Sequence, residues 1–170
     1  LSALDLVDTS KAVKFGKLSG ATEIIVGKIS QIIYVPVEET SQSSWRERTI
    51  VVGTEQYKSK DGKSHNRDIT KKVRARVTTF QQSTLARMVC SYQIIDVQTS
   101  RIIHQDVVTV EEEFYQEWAT YKGNRKAFED DKQVAGLVEV KRTRPPVAEE
   151  LIDEVLKDLL RVQSDFKKLG

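Results

Sequence analysis

A chain of 170 residues is long enough to enclose one well-filled core and short for two. Its 27 basic and 25 acidic residues leave a formal charge of +2, too small a field to draw the protein to nucleic acid or an anionic membrane. A single cysteine excludes an intramolecular disulfide framework and two separated histidines leave no zinc-type ligand set. No apolar run approaches the roughly 20 residues of a membrane-spanning helix.

Asp8 is of a helix N-cap type, with Val7 before it and Ala12 after it at hydrophobic-staple spacing. Gly20 supplies the left-handed residue that ends a helix, so the segment predicts a helix over Thr9–Ser19. The run Ile24-Ile25-Val26 predicts a strand covered on both faces at its start, while Ile29, Gln31, Ile33 and Val35 share one parity further on. Pro36 ends or edges that strand, and the polar passage Glu38 to Ser44 reads as a loop.

From Trp45 the pattern is strand-like again, with Ile50 and Val52 on one parity and Val51 on the other. Ser59-Lys60-Asp61-Gly62-Lys63 is a tight-turn signal. On the return limb Val73, Ala75, Val77 and Thr79 share one face, and Lys72, Arg74, Arg76 and Thr78 share the other. A long β-hairpin from about Arg46 to Phe80 is expected, an insertion covering residues 45–80.

Leu85 to Val97 predicts the next strand, with Ala86, Met88, Cys90, Tyr92 and Ile94 on one face; the turn Gln98-Thr99-Ser100 joins it to Arg101–Val110. Glu111-Glu112-Glu113 closes that strand, and Phe114, Tyr115, Trp118 and Tyr121 follow within eight residues. Gly123-Asn124 breaks the segment, a charged stretch runs from Arg125 to Lys132, and Arg144-Pro145-Pro146 is a stop. From Val147 a helix is predicted. Leu151, Val155, Leu159, Val162 and Phe166 recur at helical spacing, widened by Ile152, Leu156 and Leu160. Glu149, Glu150, Asp153 and Glu154 in its first turns and Lys167 and Lys168 in its last match the macrodipole.

Two of these stretches carry a resemblance. Leu6-Val7-Asp8, then Ala12-Val13-Lys14-Phe15-Gly16-Lys17-Leu18, then Gly20-Ala21-Thr22-Glu23-Ile24-Ile25-Val26-Gly27 resembles the helix and strand of the curli-secretion lipoprotein (CsgG) family and its Bacteroides-type relatives. Thr22-Glu23 stands where that pattern has Asp-Tyr. Ile95-Asp96-Val97-Gln98-Thr99-Ser100-Arg101-Ile102-Ile103 is similar to the family's paired strands, with Ser100 in place of the turn glycine. The resemblance spans most of Asp8–Val35 and Leu85–Val110.

It implies an α/β fold, CsgG/TolB-N-like: a mixed, mostly antiparallel sheet with helices packed on it and the 45–80 hairpin inserted. Residues 1–170 would be a single domain lacking its first strand and helix, which, with an export signal and a lipid-anchored cysteine, would lie upstream. It also implies a non-enzymatic lipoprotein domain, periplasmic and anchored at the outer membrane, with an assembly or secretion role. Its partners would be other envelope proteins or further copies of itself. The related fold also serves in lipoproteins that activate penicillin-binding proteins, so a regulator of cell-wall synthesis is an alternative.

The residues themselves give no catalytic site, cofactor site or metal site. Cys90 sits mid-strand on an apolar parity, and His104, on the neighbouring strand, lacks a third, orienting group. His65 lies beside the hairpin tip, and three consecutive glutamates on a strand point to alternating faces. The most distinctive chemistry is the basic hairpin: Lys58, Lys60, Lys63, Arg67, Lys71, Lys72, Arg74 and Arg76 against Asp61 and Asp68. It reads either as a solvated edge that resists aggregation or as an anion-binding or partner surface, without the aromatic interleaving that reads nucleic-acid sequence. The aromatics Phe114, Tyr115, Trp118 and Tyr121 read as a satellite core or an interface. The apolar parity of the hairpin is too short and too interrupted for a bilayer span, so the hairpin is expected to be a soluble arm.

Overall fold

The computed structural model describes residues 8–166, with only the backbone for 162–166. Helix α1 (Thr9–Ser19) forms where the capping residues place it. The Asp8 carboxylate accepts from Lys11 N–H, and Gly20, at φ 70°, turns its N–H back to the carbonyls of Gly16 and Lys17. Val7, proposed for the staple, lies outside the described residues.

Three long strands follow: β1 (Glu23–Lys58), β2 (Ser64–Asp96) and β3 (Arg101–Gly123), in the order β1-β2-β3. The β1–β2 turn is closed by Ser59 N–H to Lys63 O and Gly62 N–H to Ser59 O, both 2.9 Å, with Gly62 at φ 79°. The β2–β3 turn places Ser100 at φ 60°, the only non-glycine with positive φ among the described residues. A short 3-10 turn (Arg125–Ala127), α2 (Lys132–Glu139) and α3 (Ala148–Phe166) complete the chain.

The expectation of a mixed α/β sheet is therefore corrected: the protein is mostly antiparallel β, one three-stranded sheet with three short helices. The two tight turns leave no crossover that could make strands parallel. The segment Glu38–Ser44, expected as loop, is strand, because polar partners carry the pairing through it. Gln82 Nε2 donates to Glu39 at 3.2 Å, and Ser43 Oγ lies 2.8 Å from Thr78 Oγ1. Pro36 sits within β1, where an edge strand tolerates its missing N–H. The charged stretch after Asn124 holds α2, capped by Asp131 accepting from Gln133 and Val134 N–H.

The chain forms two compact units, each drawing on all three strands. In the first (1–37, 84–114, 145–170), α3 seats Leu151, Val155 and Leu159 on Ala86, Met88, Cys90 and Val110. Each such side chain contributes roughly 1.5–3 kcal/mol of burial free energy. Here α1 buries Val13 and Gly16. The α3 positions Val162 and Phe166 lack described side chains, and Lys167 and Lys168 lie outside the described residues.

In the second unit (38–83, 115–144), Val73, Ala75 and Val77 of β2 and Ala119 of β3 are roofed by Ala127, Phe128 and Val134. The buried parity of β2 thus changes from odd at Val77 to even at Gln82.

Candidate functional site

The basic hairpin does not present its eight cations as one patch. Lys58, Lys60 and Lys63 surround the exposed turn. Arg67 bonds Glu55 and lies over the Tyr57 ring, which also packs on His65. Glu47 takes Lys72 Nζ at 2.9 Å and Arg74 Nε at 2.8 Å, and the Lys72 hydrogen bond, then the two cationic charges, hold its carboxyl below the ordinary glutamate range. Arg74 also stacks its guanidinium 4.6 Å from the Trp45 ring centroid. Lys71, on the opposite parity, and Arg76 are exposed and make no ion pair among the described residues.

The aromatic group disperses along β3. Trp118 is buried, stacked on Phe80 at 5.2 Å and 4° and covered by Arg142 at 4.0 Å. Tyr121 meets Phe128 edge-on at 4.9 Å. Tyr115 is exposed, its hydroxyl donating to Glu117, and Phe114 is half-buried. Trp118 and Tyr121 therefore serve local packing, and no single aromatic patch results.

None of the catalytic candidates assembles. Cys90 is buried, burial pushes its thiol up, and its Sγ donates to the Ser91 carbonyl at 3.7 Å, with no base hydrogen-bonded to it among the described residues. His104 instead partners the Tyr92 hydroxyl at 3.3 Å. The three glutamates diverge: Glu111 pairs with Arg87 at 2.6 Å, Glu112 faces Asp158 of α3, and Glu113 is exposed. Among the described residues no group of three or more potential metal ligands exists, and no helix is long and apolar enough to cross a membrane.

What the first unit does offer is uncovered apolar surface along open strand edges. Among the described residues β1 and β3 each have one sheet neighbour. β1 exposes Ile25, Ile29 (42%) and Ile32 (54%) before Pro36, and β3 exposes Ile102, Ile103 (53%) and Val107 (54%). Beside β1 a groove of about 510 Å3 runs along α1, floored by Ala12, Phe15, Ile24 and Val26. Phe15 and Leu18 of α1 are themselves 65% and 81% exposed. Sequence reasoning missed this surface because consecutive isoleucines read as a strand buried on both sides, and only the strand order shows that β1 is an edge.

No family model matches the chain, and comparison with curated proteins and with solved structures yields no match either.

Proposed function

We propose that this chain is a non-enzymatic assembly module of the cell envelope that associates with further copies of itself, edge to edge, through β1 and β3. The observation that carries the reading is the pair of open strand edges in one unit, each bearing exposed isoleucine or valine. Unpaired strand edges are templates for pairing, and proteins that stay monomeric blunt them with charge, proline or covering loops. On β1 the first proline is Pro36, and Lys28 is the one cation before it, so most of Glu23–Val35 is apolar or uncharged edge that could add a strand. An edge of one kind meeting an edge of the other is a head-to-tail contact, which closes into rings when the rotation permits.

Placement in the envelope, with a lipid anchor upstream and other envelope proteins as further partners, rests on the resemblance of Asp8–Val35 and Leu85–Val110 to the curli-secretion lipoprotein family. A secretion role belongs to the same proposal.

Sedimentation velocity tests the association. The protein is expected to move from monomer to larger species as concentration rises, and Ile29→Lys or Val107→Lys should shift it back to monomer. A chain that stays monomeric at high concentration, or that associates equally well with both lysines in place, would remove the basis for this function.

A further inference from the structure

In the second unit, strand register sorts one face into rows. Phe80 stacks on Trp118, Gln116 bonds Gln82, and Asn124 N–H donates to Arg74 O at 2.9 Å. That register sets Thr78 opposite Thr120 and Arg76 opposite Lys122. On the β1 side Ser43 Oγ is 2.8 Å from Thr78 Oγ1. Three hydroxyls thus form one row and two cations the next. Gly123 holds β3 close at this point: at φ 113°, a Cβ there would sit 2.5 Å from Arg74 O.

Like charges directly opposite across an antiparallel pair oppose folding. Elsewhere on β2 the arginines are answered by carboxylates: Arg67 by Glu55, Arg74 by Glu47 and Arg87 by Glu111. Among the described residues neither Arg76 nor Lys122 has an ion-pair partner. Both line a concavity of about 130 Å3 with Ser43, Thr78, Thr120 and Tyr121, and no carboxylate enters it.

We infer that this cavity is a binding site for a tetrahedral oxyanion, the phosphate group of a soluble ester or of a lipid headgroup. The Arg76 fork suits two oxygens and Lys122 a third. Whichever of Ser43 and Thr78 donates to the other, the accepting hydroxyl keeps a proton to give the ligand, and Thr120 adds another. A phosphate monoester carries about −1.5 to −2 at neutral pH and so balances both cations, whereas a carboxylate, with two oxygens and one charge, leaves one of them unanswered.

The test is isothermal titration calorimetry of the whole chain with inorganic phosphate and with glycerol phosphate at constant ionic strength, beside flotation with phosphatidic-acid vesicles. Saturable binding is expected, weakened at least about tenfold by Arg76→Gln or Lys122→Gln, the worth of one charge-assisted hydrogen bond. Lys60→Gln at the hairpin tip should leave it unchanged. Without phosphate the two glutamine variants, relieved of the opposed charges, should melt no lower than the parent, which separates loss of ligand from loss of fold. Flotation that Arg76→Gln abolishes assigns the lipid headgroup; calorimetric binding without flotation assigns the soluble ester. Absence of saturable binding in every arm, or an equal loss in Lys60→Gln, overturns the site.

Discussion

Gly16 of α1 lies directly against Val97 at the β2–β3 turn: a Cβ on Gly16 would stand 2.6 Å from Val97 Cγ2 and 3.3 Å from Cγ1. Val97 is buried and β-branched, so it has little freedom to move aside. Gly16→Ala should therefore destabilise the protein despite the better helix former it introduces. Overpacking costs about 1–3 kcal/mol and the helix gains about 1, leaving a net loss of up to about 2 kcal/mol in denaturant unfolding. A more stable variant would mean that α1 does not dock as described.

Phe128 is 1% exposed and roofs the apolar parity of β2. Truncation to alanine should cost about 3–5 kcal/mol. The same roof accounts for Val73, Ala75 and Val77 without lipid, so the native chain is expected to give no ion conductance when added to liposomes. Channels abolished by Val77→Asp would show that α2 leaves this face in a bilayer.

Glu112 and Asp158 set a pH dependence. The Asp158 hydrogen bond, burial and the charges of Asp158 and Glu154 together hold the Glu112 carboxyl above the ordinary glutamate range. The folded chain then binds that proton more tightly than the unfolded chain, so the contribution is present below the usual glutamate range and is lost as pH rises through the raised value. Glu112→Gln should raise the melting temperature at pH 7 relative to the parent, with the gain shrinking towards pH 4. A gain that is equal at both pH values would show that the two carboxyls do not share a proton.

Cys90 should react slowly with a thiol reagent in the native protein and rapidly in urea, because burial raises its pKa and denies access. Fast native labelling would expose this part of β2.

The sequence is most readable where a local rule decides the structure. Asp8 and Gly20 bound α1 by capping chemistry alone, and Asp61-Gly62 marks the hairpin turn. Ser100 shows the left-handed geometry that its place in the turn demands, against its own preference. Gly27 is different, since a Cβ there would make only ordinary contacts, the nearest 3.5 Å from Cys90 Sγ.

What the sequence hides is set by pairing across strands. Glu39 and Ser43 look like loop residues until Gln82 and Thr78 are placed opposite them, and Phe128 is masked by the charged residues around it. Lys122 is an unremarked lysine near the end of β3 until register sets it across from Arg76. The open edge is hidden for the same reason: Ile24, Ile25 and Val26 carry no mark of how many neighbours their strand has.

Amide hydrogen exchange along Glu23–Val35, followed as protein concentration rises, tests the edge-to-edge account most directly. A lone edge strand leaves its outward N–H groups to water, whereas an added strand ties them up. The account predicts that outward amides in this segment exchange fast in dilute protein and become protected on association, together with amides of Arg101–Val110 on the other edge. Protection independent of concentration on both edges, in a sample that sedimentation shows to be associating, would place the contact elsewhere and contradict the claim.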